Sequence, residues 1–296
     1  MKSETLITVF TSTYNRAYTL TQLYNSLLNQ DYKDFEWLIV DDGSTDKTEE
    51  LIQSFLNEKK ISIQYYRKQN GGKHTAINFG TDVAKGLFFF NVDSDDYLTN
   101  FALKSIDMQT KKIKNKKNFA GLSGVRVFSN MQTIGKEMPD KIIETDLLTF
   151  RYRLGIRGDR AEVFYTHILK KYKFPVFANT KFCPEGVVFN KIANDGFLLH
   201  FFDSPLIVCE YLSDGLSYNH YKRNKNNIKS IMLCYEDLFS YRLNLLSKIK
   251  TGINYWRYSF FSERTFSKNI KAMYYWGVVL YPIGLLFMIY SELKNK

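Results

Sequence analysis

The chain has 296 residues, of which 45% are hydrophobic and 16% aromatic, with a formal net charge of +11. That length and apolar content fit a globular protein of one large domain, or one and a half. Cys183, Cys209 and Cys234 have no metal-site spacing, which argues against a disulfide framework or a zinc site and for a reducing compartment. The positive charge directs attention to polyanions: nucleic acid, anionic lipid head groups or a phosphate-bearing substrate. No helix-turn-helix, zinc-finger or RNA-recognition signature accompanies it, so nucleic acid is not the expected partner.

Met1 to Thr5 run straight into a β-like segment, so no secretory signal peptide is expected. Leu6 to Ser12 is β-branched and apolar and reads as a strand, closed by Thr13-Tyr14-Asn15-Arg16, with a helix following through about Gln30. Phe35 to Val40 is the next strand. It ends in Asp41-Asp42-Gly43-Ser44-Thr45-Asp46, where Gly43 permits a tight turn and Ser44, Thr45 or Asp46 can cap a helix over 48–57. Ile61 to Tyr66 alternates as a third strand, Asn70-Gly71-Gly72-Lys73 is a turn, and 74–83 reads as a helix.

Leu87 to Val92 is a fourth strand, too apolar for a loop, and it ends abruptly in Asp93-Ser94-Asp95-Asp96. Strands alternating with helices imply right-handed βαβ units and a parallel sheet. Tyr14, Asp42 and Asp93 to Asp96 then share the carboxyl edge of that sheet, where ligands bind in open α/β folds. Asp93 and Asp95, two residues apart, can reach one hard cation, Mg²⁺ or Mn²⁺, whose shell a diphosphate and water complete. An acidic turn in which Asp96 or Ser94 caps a helix near Thr99 accounts for the same residues. Gly71-Gly72-Lys73, at a helix start on the same edge, offers backbone access and positive potential for phosphate.

Thr11 to Arg16, Val40 to Asp46, Asn70 to Asn78 and Asp93 to Asp96 resemble the successive signatures of family 2 glycosyltransferases. Those are inverting enzymes with the GT-A nucleotide-sugar-binding fold. The resemblance departs at Ser12, where proline is usual. It implies a Rossmann-like α/β architecture, a mainly parallel central sheet flanked by helices. It further implies a donor site drawn from Ser12, Tyr14, Asn15, Arg16, Asp42, Lys73 and Ser94. Ser12 and Tyr14 would line the nucleobase and ribose, and the Asp42 carboxylate would accept the imide N–H of uracil. Lys73 would approach the diphosphate, and Asp93 with Asp95 would hold Mn²⁺ or Mg²⁺, Asp95 as the more direct ligand.

In the second half, Gly158 to Phe164, Tyr172 to Phe177 and Lys181 to Gly186 are similar to a bacterial subset of that family found with capsule, O-antigen and exopolysaccharide enzymes. The resemblance implies that Glu185, ahead of a helix over 187–193, is the general base that takes the acceptor's proton. Asp96, Asp159, Glu162, His220 and Arg223 are reserve contacts to acceptor or diphosphate. Tyr211 to Ser217 reads as a turn after a strand at Leu206 to Tyr211.

Residues 272–290 carry no charge. Pro282, two glycines and several tyrosines make them a poor plain span and a better in-plane or packed helix. Basic, aromatic residues before them suit an anionic leaflet. The expected organisation is a GT-A catalytic part over 1–215, nucleotide-sugar-binding over 1–100 and acceptor-side over 101–215, followed by a helical region over 216–296. The expected function is an inverting transfer of a hexose or N-acetylhexosamine from a UDP-sugar to a lipid-linked bacterial glycan. The expected setting is the cytoplasmic face of the plasma membrane, with a homodimer as an additional partner arrangement through the apolar segment. A non-catalytic module of the same fold, acting as a scaffold, is the competing reading, and Asp93, Asp95 and Glu185 argue against it.

Overall fold

The computed structural model describes residues 7–210 and 220–294. The first elements are β1 (Ile7–Thr13), α1 (Ala17–Leu28), β2 (Phe35–Asp41), α2 (Thr48–Glu58), β3 (Ile63–Arg67), α3 (Lys73–Val83) and β4 (Phe88–Asn91). Then come β5 (Tyr97–Leu98), α4 (Ala102–Ile113), β6 (Phe119–Val127), β7 (Ile142–Thr145), a π-helical turn (Thr149–Arg153), β8 (Arg160–Tyr165), α5 (Thr166–Lys171), α6 (Gly186–Asn194) and β9 (Leu198–Val208). The carboxyl-terminal part is helical: α7 (His220–Asn226), α8 (Ile228–Ser240), α9 (Leu245–Ser259), α10 (Phe266–Met273) and α11 (Trp276–Lys294).

One sheet runs through the molecule in the order β3-β2-β1-β4-β8-β6-β9-β5, with β7 paired to β9. β1 is parallel to both β2 and β4, and β2 to β3. The chain therefore works outward from β1 to β3 and then returns to the far side of β1. That reversal opens a crevice at the carboxyl ends of β1 and β4.

β8 is antiparallel to β4, with Phe90 opposite Val163. Its first residues, Arg160 to Glu162, consequently arrive at the edge where β4 ends. β6 is antiparallel to β8, with Ser123 opposite Glu162, and delivers Arg126 to the same edge with its last residues.

Residues alternate faces along each strand, so the sheet separates two apolar layers. Val9, Trp37, Phe90 and Val163 face α1, α2 and α4. Phe10, Leu38, Phe89 and Phe164 face α3, α5 and α6, with Leu238 of α8 closing that layer. Both layers exclude water, which is why β1, β2 and β4 read as continuous apolar runs.

α7 to α11 have an aromatic core of their own, built on Tyr221, Phe239, Tyr255, Trp256 and Tyr258. α11 lies on α9 across small residues. A Cβ added to Gly284 would stand 2.2 Å from the Trp256 Cβ, and one at Gly252 would stand 2.4 Å from a Leu280 methyl. Glycine at these points lets the two backbones approach.

The structure corrects several expected boundaries. The strand expected from Leu206 starts at Leu198 and ends at Val208, because the aromatic run Leu198 to Phe202 pairs with both β6 and β7. The turn expected at Tyr211 to Ser217 lies outside the described residues. The helix expected near Thr99 begins at Ala102, with no side-chain cap from Ser94 or Asp96. Asp96 is instead drawn away from that helix by Arg126.

Candidate active site

Four sequence segments meet where β1, β2 and β4 end. Asp41 and Asp42, at the end of β2, do different work. Asp41 is fully buried, accepting the Ser44 N–H (2.7 Å) and the Tyr65 hydroxyl (3.0 Å), so it shapes its own turn. Asp42 reaches across to the glycine turn: its Oδ1 accepts from Gly71 N–H (3.0 Å) and Lys68 Nζ (2.5 Å), and its Oδ2 from Gly72 N–H (2.6 Å). A carboxylate offers about four acceptor positions, so one on Oδ2 is left over. Sequence reading expected Asp42 at a nucleobase; here its larger task is to pull the glycine turn onto the edge of β2.

Gly72, with φ +94°, sits against the backbone of the loop that leads to Glu185; a Cβ there would lie 1.9 Å from the Lys181 carbonyl oxygen. Two turns far apart in sequence thus touch backbone to backbone. The Lys181 loop is also held from the other side. Asn227 Oδ1 accepts the N–H groups of Lys181 (2.8 Å) and Phe182 (2.9 Å), and Ser230 donates to the Phe182 carbonyl (2.6 Å). Arg223 lies over the Phe182 ring at 3.9 Å, so it supports this loop. His220 is exposed at the start of α7, and Asp159 is exposed just before β8; neither joins the acidic cluster.

Lys73 opens α3 and bridges the two acids that the sequence separates by 92 positions. Its Nζ stands 2.5 Å from Asp93 Oδ1 and 3.0 Å from Glu185 Oε1. Asn91 Nδ2 adds a hydrogen bond to Glu185 Oε1 at 3.3 Å. Burial works against the Lys73 charge, yet Asp93 and Glu185 together hold the ammonium well above the ordinary lysine value. Burial also pushes the Asp93 carboxyl up, but Lys73 and Arg126 outweigh it and leave Asp93 below the usual carboxylate range.

Arg126 is the site residue that sequence reading missed. Its Nη1 lies 2.8 Å from Asp96 Oδ2 and 3.8 Å from Asp93 Oδ2, while its Nε donates to the Arg160 carbonyl (3.0 Å). Burial pushes the Asp96 carboxyl up to about 7 despite that guanidinium, with Asp93 and Asp95 adding to the rise. The signal was available: a single arginine between two valines in a strand otherwise buried has to meet an acid somewhere.

Among the described residues, Asp95 is the carboxylate of the cluster without an ion pair. Burial, then the Asp93 charge, raise its pKa, with Arg16 and Lys73 pulling weakly the other way. A hard divalent cation fits this arrangement: it would relieve the repulsion between Asp93 and Asp95 and take its remaining ligands from oxygen. Among the described residues no group of three or more His, Cys, Asp or Glu side chains could hold an ion by itself.

Along the neighbouring rim, Tyr14 is 47% exposed at the end of β1, beside Asn15 at φ +52°. Ser44 Oγ accepts the Asn15 N–H (2.9 Å), Asn15 Oδ1 accepts the Thr45 N–H (2.8 Å), and the Arg16 guanidinium donates to the Tyr18 hydroxyl (3.0 Å). The ends of β1 and β2 are therefore stitched into one shelf that carries the half-exposed Tyr14 ring. Ser12 is half-buried under that shelf, and Ser94 is buried beneath the acidic turn.

A small, partly open cavity is lined by Ile77, Phe89, Asn91, Arg126, Glu162, Phe164, Leu169, Glu185 and Phe189. Glu162 reaches it from β8 and is ion-paired with Arg151 at 3.3 Å. Burial raises its pKa, against the pull of Arg151.

Residues 8–106 match the family model described as glycosyl transferase family 2. Over its first third the chain is similar to that family. Staphylococcus aureus TarS, a poly(ribitol-phosphate) beta-N-acetylglucosaminyltransferase, is 28% identical over 178 residues, which are 57% of this chain and 31% of TarS. A Campylobacter jejuni GalNAc(5)-diNAcBac-PP-undecaprenol beta-1,3-glucosyltransferase is 32% identical over 142 residues, 47% of this chain and 44% of that protein. The matched part thus spans less than half the length of either relative.

The solved structure of TarS 1–349 with UDP-GlcNAc superposes with a TM-score of 0.64 at 21% identity, covering 86% of this chain and 72% of that one. A Pyrobaculum calidifontis mannosyltransferase, solved with GDP-Man and Mn²⁺, gives a TM-score of 0.57 at 15% identity over 98% of this chain and 86% of that one. The architecture is the GT-A fold, an α/β sheet flanked by helices, with an apolar carboxyl-terminal helix.

Proposed function

We propose that this protein is an inverting, metal-assisted glycosyltransferase that moves a hexose or N-acetylhexosamine from a UDP-sugar to a hydroxyl of a lipid-linked bacterial surface glycan. The observation that supports it most is the Lys73 bridge between Asp93 and Glu185, which brings a diphosphate-type cation, a metal-type acid and a base within ion-pair distance. The TarS and Campylobacter relatives support the donor and acceptor classes by what their names say they transfer.

In this reading the nucleobase stacks on Tyr14, and the spare Asp42 Oδ2 position accepts its imide N–H, which uracil has and cytosine lacks. Asp93 and Asp95 hold Mn²⁺ or Mg²⁺, which when bound offsets charge on the departing diphosphate. Lys73 turns from Glu185 toward the diphosphate as the donor arrives. Glu185, released, takes the proton from the acceptor hydroxyl as that oxygen attacks the anomeric carbon from the side opposite the diphosphate, inverting the configuration. Arg126 holds the acidic turn, and with it Asp93, in place.

α11 is long and apolar enough to cross a membrane by length and composition. Its Val278, Val279, Leu286, Tyr290 and Leu293 are more than half exposed, while Gly277, Leu280 and Gly284 face α9 and α10. We assign the outer face to the headgroup region of an anionic leaflet, with Lys268 and Lys271 of α10 beside it, so that a lipid-linked acceptor meets the site at the cytoplasmic surface.

Calorimetric titration of UDP into the wild type and into Asp95→Ala, with and without Mn²⁺ and with CDP and GDP as controls, tests the reading. Selective UDP binding that needs both the metal and Asp95 is expected. Absence of metal-dependent binding of any nucleotide would leave the fold as a non-catalytic scaffold.

A further inference from the structure

Asn227 stands at the corner between α7 and α8, as the N-cap of α8. An asparagine at that position ordinarily accepts an N–H from the first turn of its own helix. Asn227 makes no such bond. Its Oδ1 is turned instead to the N–H groups of Lys181 (2.8 Å) and Phe182 (2.9 Å), 46 and 45 residues earlier in the chain. Its Nδ2 donates to the Arg223 carbonyl (2.7 Å), so each end of the amide meets a partner of the right kind and the side chain has one orientation. Ser230, in the first turn of α8 and fully buried, donates to the Phe182 carbonyl (2.6 Å).

These bonds reach Glu185 through a short piece of chain. Lys181 to Pro184 lead directly into Glu185, the N-cap of α6. On the side away from Asn227, the Lys181 carbonyl lies against Gly72, where a Cβ would stand 1.9 Å from the oxygen. Just past Glu185, a Cβ on Gly186 would stand 3.8 Å from the Cys234 Sγ of α8. The backbone that carries Glu185 to Lys73 and Asn91 is thus held between the glycine turn and the carboxyl-terminal helices.

We propose that Asn227, assisted by Ser230, is a positioning residue for Glu185. The inference rests on the glycosyltransferase reading above, in which Glu185 is the general base, and it makes the corner of α7 and α8 part of what the chemical step depends on. A base must stand within hydrogen-bond reach of the proton it takes, and a misplacement of about 1 Å can cost about 10² in rate. A helix cap is worth about 1 kcal/mol, and α8 forgoes the one its asparagine could give. The same oxygen fixes two N–H groups of the loop instead.

The full chain is compared with Asn227→Ala and Ser230→Ala, and with Asn269→Ala as control, each shown folded by its thermal melt. Asn269 is buried and accepts the Tyr255 hydroxyl (2.9 Å), so its loss reports what breaking a buried hydrogen bond elsewhere in the helical region does. Amide hydrogen exchange read by mass spectrometry is expected to quicken about tenfold across 181–189 in Asn227→Ala, less in Ser230→Ala, and not in the control. Release of UDP from UDP-glucose or UDP-N-acetylglucosamine is then followed with Mn²⁺ and water as acceptor. There the water oxygen attacks the anomeric carbon, the bond to the diphosphate oxygen breaks, and Glu185 takes the proton. Asn227→Ala should slow that release by about tenfold to a hundredfold, with calorimetric binding of UDP and Mn²⁺ unchanged. Quickened exchange confined to Lys181 and Phe182, or slowing no larger than in the control, overturns the assignment. A loss of UDP affinity that parallels the loss of rate overturns it too. Where the wild type binds UDP but does not pass sugar to water, the spread of exchange through Glu185 decides alone. A wild type that binds no UDP with Mn²⁺ overturns the glycosyltransferase reading itself.

Discussion

The two halves of the site are made in different ways. On the side we propose for the nucleotide, Asn15 and Asp42 follow strand ends and are fixed by hydrogen bonds between neighbouring turns. On the side we propose for the reaction, sheet register brings Arg126 and Glu162 from two antiparallel strands to the end of β4, where Glu185, at a helix cap, meets Lys73 and Asn91. The first half is local chemistry repeated along one edge, and the second is assembled over long sequence distances. Damage should therefore read differently: loss of ligand binding in one case, loss of positioning or of the chemical step in the other.

The sharpest break of that comparison is Glu185→Gln. Removing a general base costs about 10²–10⁴ in rate, and UDP binding should persist because the nucleotide shelf is untouched. Steady-state transfer measured beside calorimetry of UDP checks this. If both fell together, the division between the halves would be wrong.

Arg126→Met comes next. It strands buried Asp96, and removing one partner of a buried pair costs about 3–5 kcal/mol. Urea unfolding should show most of that loss at pH 8 and less at pH 5, since Asp96, pushed up to about 7, takes a proton and sheds its unpaired charge as the pH falls. A cost that did not change with pH would mean the arginine acts through packing alone.

Gly72→Ala tests the seam where the halves touch. With φ +94° and a Cβ 1.9 Å from the Lys181 oxygen, the two turns must separate, at about 2–3 kcal/mol. Gly155→Ala is the control, with φ +67° but nothing within 4 Å, and should cost about 1 kcal/mol. Equal losses in the two variants would show that backbone strain, not the contact, governs Gly72.

The smallest effect lies away from the site. His200 is buried between Glu144 (2.8 Å) and Gln109 (3.1 Å). Burial holds its pKa below the ordinary histidine value despite Glu144. The unfolded chain therefore binds the proton more readily. This contribution to stability is present above the unfolded histidine pKa of about 6.5 and is lost as the pH falls toward the lower folded value. His200→Gln should flatten the dependence of unfolding free energy on pH between about 5 and 7. An unchanged slope would assign it to His74 and His167, whose pKa values burial also lowers.

The first hundred residues were legible because local rules act there. Apolar runs end in turn residues, glycine appears where φ is positive, and acids fall at strand ends, so β1 to β4 and the edge they share follow from spacing alone. β9 is shorter in the sequence reading because its early residues, Leu199 to Phe202, pair with β7, a four-residue segment that signals little until it pairs. Asp93 and Lys73 sit in recognisable turns, while Glu185 is singled out only by the family resemblance. That one ammonium joins the two acids was not readable, nor that Arg126 anchors Asp96, nor that Asp42 spends most of its capacity on the glycine turn. Sequence determines which groups a strand end or helix start can present, because those choices depend on a few neighbouring residues. Distances between groups on different strands depend on register and on which face each side chain takes, and only the closed sheet sets those.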